Sequence, residues 1–180
     1  MKHIMISIRP EWTAKILNGE KTLEIRKTMP NCKEPCKVYI YCTRAKNESI
    51  KLVKKPDILN NEFIYSFHIG RYGERYDGKV VAEFTLKTVN KFDIQGLEFY
   101  GMKDIIKEQS CLDDIQLSDY LQNKVGYAWH IDDLKIYDKP KELSEFGVRK
   151  YLYAYTHDCW DVLPLRKPPQ SWCYVEGERK

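Results

Sequence analysis

A short charged stretch near the N-terminus contains the side chains best suited to chemistry. Lys21, Glu24 and Arg26 follow one another closely, and Glu24 and Arg26 are two positions apart. In a β-strand, alternate residues share a face and lie roughly 6.6 Å apart. Glu24 and Arg26 therefore share a face, and Lys21 lies close by, where the strand begins. The three offer a cation for a phosphate or carbonyl oxygen, an acceptor for a base edge, and a planar fork of donors. The pattern therefore predicts a small polar recognition site.

The same spacing also fits a simpler structure. Opposite charges on an outward strand face commonly form a surface salt-bridge ladder, which contributes little to stability. The spacing alone does not separate a ligand site from such a ladder.

The elements around this stretch have clear sequence signals. His3 to Ile8 alternates apolar and other residues, which predicts a half-buried strand. A short helix is predicted next, because Pro10 suits its first turn and Gly19 suits a left-handed residue at its end. Thr22 to Met29 alternates again, with Leu23 and Ile25 on one face. Lys21 is thus expected where the helix gives way to the strand.

The remaining chain predicts a mixture of strands and helices. Residues 44–78 are polar and rich in lysine and glycine, so we expect an exposed excursion there with one short strand near 63–68. Further strands are predicted at 37–43, 79–92 (bent near Thr88), 127–137 and 171–176, with helical segments at 101–110 and 117–122, the second capped by Ser118. The tally predicts an α+β fold, a small mixed β-barrel with peripheral helices, in a single domain over residues 1–180.

Composition limits the classes of protein that fit. The chain has 180 residues and 43% hydrophobic residues, enough for a buried core. No long apolar run predicts a membrane span, and the N-terminus lacks a signal-peptide pattern, so we expect a cytoplasmic protein with reduced cysteines. Residues 1–55 carry a net charge of +8 and residues 56–180 a net charge of −4. This asymmetry indicates a polyanionic partner such as nucleic acid, although a Lys-rich solvated face gives the same numbers.

Three segments resemble a known family. "IRPEWTAKILNGEKTLEIRK", followed by "KVYIYCT" and ending in "SWCYVE", is similar to the ASCH domains of the PUA-like superfamily. The resemblance is strongest over residues 4–43 and rests mainly on a Gly-x-Lys-Thr-x-Glu-x-Arg element, formed by Gly19, Lys21, Thr22, Glu24 and Arg26. It implies a PUA-like β-barrel with a basic cleft beside the first helix that binds RNA or modified nucleosides and nucleotides.

The resemblance also implies an enzymatic alternative. One branch of the family deacetylates N4-acetylcytidine with a lysine and a threonine of this motif and a distant glutamate, and other members cleave RNA. Lys21 matches the lysine, but Glu24 holds the place of the threonine. A carboxylate nucleophile requires a different mechanism from a hydroxyl. Lys21 and Glu24 are therefore the candidate catalytic residues, with Glu98 as the possible remote acid and Glu83 as the second choice for it.

Aromatic residues add candidate stacking surfaces. Tyr41 and Trp172 are predicted to join Lys21, Thr22, Glu24 and Arg26 in binding the ligand, since a stacked base contributes about 1–3 kcal/mol. Trp12 and Trp160 are interpreted as packing residues. We expect no cofactor and no metal centre. A further possibility is an interaction module whose basic N-terminal third meets an acidic protein; the sequence indicates neither the oligomeric state nor the RNA bound.

Overall fold

The computed structural model describes residues 3–31, 35–44, 52–56, 62–66, 76–94, 96, 102–122, 124–153 and 158–178. Within these ranges, α-helices lie at Pro10–Leu17 (α1), Lys103–Ser110 (α2) and Asp114–Leu121 (α3), and a 3-10 turn lies at Leu143–Glu145. The strands are β1 His3–Ile8, β2 Leu23–Arg26, β3 Cys36–Cys42, β4 Leu52–Pro56, β5 Glu62–Ser66, β6 Val80–Leu86, β7 Val89–Phe92, β8 Gly126–His130, β9 Asp132–Lys141, β10 Phe146–Tyr153, β11 Asp158–Pro164, β12 Trp172–Val175 and β13 Gly177–Glu178.

A five-stranded sheet forms the centre of the described structure, in the order β12-β1-β3-β6-β9. β1 and β3 are parallel, with Ile4 opposite Val38, and the other neighbours are antiparallel. Both faces of β1 are buried. Ile4 and Ile6 pack into one hydrophobic cluster with α1, whereas Met5 packs into a second cluster on the opposite face. β1 is therefore a central strand rather than the half-buried strand that its alternation predicts.

A second sheet, in the order β2-β8-β7, packs on α2 and α3. Leu23 and Ile25 of β2 enter a third hydrophobic cluster together with Ile106, Leu117 and Leu121 from the two helices. This burial leaves the opposite face of β2, which carries Glu24 and Arg26, turned away from that hydrophobic cluster. The predicted bend near Thr88 is the point where the chain leaves the central sheet as β6 and enters the second sheet as β7.

Several sequence expectations need correction. The described strands form separate sheets and no closed barrel, so the α+β class is confirmed while the barrel is not. The excursion contains two paired strands, β4 and β5, rather than one. The hairpin of β10 and β11 was not predicted, because its charged and aromatic residues mask the apolar alternation. α3 begins earlier than predicted, and its cap is Asp113 in a capping box with Gln116, not Ser118.

The cysteines only partly follow expectation. Cys42, Cys111 and Cys173 are free thiols. Cys36 is disulfide-bonded, so the expectation of reduced cysteines is wrong at this position. In the part of the chain that the structure describes, no helix is both long enough and apolar enough to span a bilayer.

Candidate functional site

A cleft of about 1340 Å³ opens beside α1 and the charged face of β2. Its other walls come from the end of β1, from α3, from the turn at 142–144 and from the segment 165–171 that precedes β12. Lys21, Glu24 and Arg26 all line it. The three predicted residues therefore meet in one concavity, and they do so in the interior of the protein, with exposures of 3%, 7% and 7%. The surface-ladder alternative is wrong.

Lys21 is placed by the end of α1. Gly19 adopts a φ of +75°, and the carbonyl of Lys15 accepts hydrogen bonds from the N–H groups of both Glu20 and Lys21. This reversal aims the Lys21 side chain across to α2, where Nζ donates to the carbonyl oxygen of Ser110 at 2.8 Å. Ser110 is the last residue of α2, whose C-terminal end carries partial negative charge and attracts a cation.

The environment of Lys21 disfavours its charge. Burial lowers the pKa of Lys21, and the nearby carboxylate of Glu24 offsets only part of that effect. The ring of Trp12 adds an aromatic face, with its centroid 5.7 Å from Nζ. Lys21 is thus a desolvated amine held in a fixed position in the cleft, which is a property typical of functional lysines.

Glu24 connects the two cations. Its carboxylate lies 3.3 Å from Nζ of Lys21 and 3.0 Å from Nε of Arg26. The three side chains form a buried row in the order cation, carboxylate, cation. Removing charges from water is costly, and their mutual attraction only partly compensates, so such a row is weak evidence for stability and better evidence for a specific role.

Arg26 joins three distant segments of the chain. Its guanidinium donates to the carbonyl of Ser7 at 2.8 Å and to the hydroxyl of Ser171 at 3.2 Å. The N–H of Nε is not aimed at an acceptor among the described residues, so its contact with Glu24 is an ion pair rather than a hydrogen bond. Burial raises the pKa of the neighbouring Tyr120 phenol, and Arg26 opposes that rise. The guanidinium therefore holds the wall of the cleft together.

Of the other predicted ligand-binding residues, one lines the cleft and two do not. Tyr41 lines the cleft. Thr22 is exposed and does not line it; its backbone instead ties β2 to Gln109 and Ile131. Trp172 also lies outside the lining, because it packs against Trp129, with ring centroids 6.0 Å apart, and donates from Nε1 to Thr28.

The two candidates for the remote acid do not join the site. Glu98 lies outside the described residues. Glu83 accepts hydrogen bonds from Tyr137 at 2.7 Å and Lys37 at 3.0 Å on the central sheet, and it does not line the cleft.

Two aromatic residues of the cleft were missed. Trp12 lines it, although its helical spacing with Ile16 favoured packing, and Tyr120 lines it from α3. A sequence signal existed for Trp12, because it lies on the helix that leads directly into the Lys21 motif. None existed for Tyr120, whose position depends on how α3 packs.

The charge of the lining is mixed. The cations and acids that line the cleft are Arg9, Lys21, Arg26, Arg44 and Arg166 against Glu11, Glu24, Asp119 and Glu142. The cleft is therefore only slightly basic, less so than the excess of lysine and arginine in residues 1–55 indicates. Such a lining offers both donors and acceptors to a polar ligand.

Comparisons with known proteins bear on the fold. No protein-family model matches the sequence, and no curated protein matches it. Crystal structures of ZmASCH from Zymomonas mobilis do match. One of a single-residue mutant is 19% identical, with a TM-score of 0.58, and covers 98% of this chain and 91% of that chain. A second mutant is 18% identical at a TM-score of 0.56, covering 97% and 88%, and the unsubstituted protein is 17% identical at 0.52, covering 97% and 87%. The chain therefore has an ASCH-type fold.

Proposed function

We propose that the chain is an ASCH domain protein that binds RNA or a modified nucleoside or nucleotide in this cleft. The observation that carries the proposal is the buried row of Lys21, Glu24 and Arg26 in the cleft wall. Charges held out of water lose hydration, and a polar ligand that lies against them in the cleft can replace it. The ASCH-type fold and the sequence resemblance support the same reading.

Each part of the lining suits one part of a nucleotide. Glu24 accepts hydrogen bonds and suits the amino edge of a base, whereas Lys21 suits a carbonyl or phosphate oxygen. Trp12, Tyr41 and Tyr120 supply aromatic surface on which a base stacks. Arg9 and Arg166, which are exposed at the rim, suit phosphate groups.

A hydrolase in the same cleft is the second candidate, and the state of Lys21 favours it. Burial lowers the pKa of this amine, so a larger fraction is neutral at a given pH than in water. A neutral amine accepts a proton, and its ammonium form stabilises an oxyanion that develops beside it. Glu24 lies 3.3 Å from the Lys21 amine, close enough to exchange that proton with it. The substrates would be an N4-acetylcytidine-like nucleoside or RNA.

Calorimetric titration with cytidine, N4-acetylcytidine and a single-stranded RNA tests the binding proposal. We expect at least one of them to bind, and we expect Lys21→Met and Tyr120→Ala to weaken that binding. Tyr120 is partly exposed, so its variant tests the cleft even if Lys21→Met lowers the folded population. Lys87→Ala, which removes an exposed cation that is not part of the lining, is the matched control. The proposal fails if no compound binds or if both cleft variants bind like the control.

Turnover separates the hydrolase from the binding protein. Wild-type chain incubated with N4-acetylcytidine should release acetate, or should shorten single-stranded RNA, and Lys21→Met should lose that activity. Unchanged substrate in both incubations, with binding intact, removes the enzymatic candidate.

A further inference from the structure

The hairpin of β10 and β11 presents an aromatic face to solvent. Tyr151 lies directly opposite Trp160, and Arg149 lies opposite Val162, so all four side chains share one face of the hairpin. Tyr151, Trp160 and Val162 are 40%, 55% and 39% exposed. We call these four residues the hairpin face. Trp160 was interpreted as a packing residue from the sequence, and its exposure leaves that interpretation unsupported.

The hairpin face is arranged in advance of any ligand. The rings of Tyr151 and Trp160 meet edge to face with centroids 5.1 Å apart, and the guanidinium carbon of Arg149 lies 5.3 Å from the centre of the Trp160 ring. On the opposite face of the hairpin, Val148 packs against the second hydrophobic cluster. The other side of the hairpin is therefore packed against the protein, so the hairpin face needs little ordering when a flat ligand binds.

The hairpin face also leads to the cleft. β11 ends at Pro164, and the next two residues, Leu165 and Arg166, line the cleft. Trp160 is five residues before Leu165, a distance of about 16 Å along an extended chain. Arg166 and Lys167 are exposed on this route. Asp161 occupies the alternate position in β11 and so belongs to the opposite face of the hairpin. Along this route, an aromatic surface, two exposed cations and a polar cleft follow one another. A single strand of RNA has a matching arrangement, because its bases alternate with its phosphates.

We propose that the hairpin face is a second RNA subsite, where an unpaired base stacks on Trp160 while another nucleotide of the same strand occupies the cleft. The inference rests on the proposed function of the cleft. An edge-to-face aromatic pair with an arginine over one ring suits a flat base attached to a phosphate, because the ring stacks and the guanidinium pairs with the anion. A purely apolar partner gains nothing from Arg149.

The test is a length series of single-stranded oligouridylates with a fluorescent label, titrated by anisotropy beside uridine monophosphate as an unlabelled competitor. Trp160→Ala should weaken binding of oligomers long enough to span both sites by about 5- to 150-fold. The same variant should leave unchanged the dissociation constant of the monophosphate, calculated from its competition with the labelled oligomer. Trp160→Phe should recover most of the loss, because a ring remains. Ile105→Ala, which removes a side chain that is 50% exposed on α2, is the matched control.

The outcomes separate this inference from the proposed function. If Trp160→Ala binds every oligomer like wild type while Lys21→Met binds all of them weakly, the hairpin subsite is refuted and the cleft stands. If Trp160→Ala weakens binding and Lys21→Met does not, the hairpin subsite stands and the proposed cleft function fails. If Trp160→Ala changes only the molar mass measured by light scattering, the hairpin face is a contact between copies of this chain and the inference is wrong. If wild type binds no oligomer, the hairpin subsite is refuted, and the proposed function then depends on whether cytidine or N4-acetylcytidine binds in the calorimetric titration.

Discussion

Replacing Glu24 by glutamine gives the sharpest test of the buried charge row. Gln has nearly the same shape but no charge, so Lys21 and Arg26 would face each other without the carboxylate that lies 3.3 Å from one and 3.0 Å from the other. Removing one partner of a buried ion pair costs about 3–5 kcal/mol, because the remaining charge is left uncompensated in a poorly hydrated site. For a chain of this size, that loss lowers Tm by roughly 6–20 °C.

The response of Lys21 limits this loss. Burial already lowers its pKa, and removing the Glu24 carboxylate removes the main effect that raises it again, so the amine can lose its proton and the repulsion with it. The difference in Tm between wild type and Glu24→Gln should therefore shrink as the pH is raised from 7 towards 10. In a double-mutant cycle, Lys21→Met combined with Glu24→Gln should cost less than the sum of the single changes, since the two side chains are in contact.

Differential scanning calorimetry at several pH values measures both effects. Asp133→Asn is the control, because Asp133 forms an exposed ion pair with Lys87 and should leave Tm unchanged. A Glu24→Gln variant that melts within a degree or two of wild type at pH 7 would contradict the expected loss of stability. That result would mean that water reaches the row and hydrates the two cations.

Three further outcomes follow from individual residues. Gly19→Ala should lower stability by about 1–2 kcal/mol in urea titrations, because a φ of +75° is strained for alanine and no atom lies close enough to contact the new methyl group; equal stability would contradict the left-handed helix end. Because the pKa of Lys21 is lower in the folded chain, the unfolded chain binds more protons just below pH 10.5. The unfolding free energy of wild type relative to Lys21→Met should therefore rise as the pH approaches that value, and a fall would show that the amine is not desolvated. Cys42 should resist a thiol reagent at pH 8, because burial raises its pKa to about 12, whereas the less buried Cys111 should react first. Peptide mapping by mass spectrometry gives the order of labelling, and the reverse order would place Cys42 at the surface.

Local patterns predicted the N-terminal elements well. The alternation around Leu23 and Ile25 assigned Glu24 and Arg26 to a common face, and the structure confirms this assignment through their ion pair. The helix from Pro10 to Leu17 begins and ends where proline and glycine indicate. These features depend on the geometry of a few consecutive residues, which a sequence displays directly.

Other features could not be predicted, because they depend on segments far apart in the chain. Tyr120 belongs to the cleft and Trp172 does not, although both are aromatic residues near charged or polar neighbours. The hairpin of β10 and β11 was missed because one of its faces is exposed and aromatic, which weakens the contrast between apolar and polar positions.

The sequence by itself determined which chemical groups Lys21, Glu24 and Arg26 offer and which strand face two of them share. Only the tertiary structure decided that they are buried, that Lys21 meets a carbonyl 89 residues away, and that Arg26 reaches a serine 145 residues away. The physical reason is that side-chain direction along a strand is a local property. Desolvation, and with it the lowered pKa of Lys21, depends on the other segments that pack over the strand.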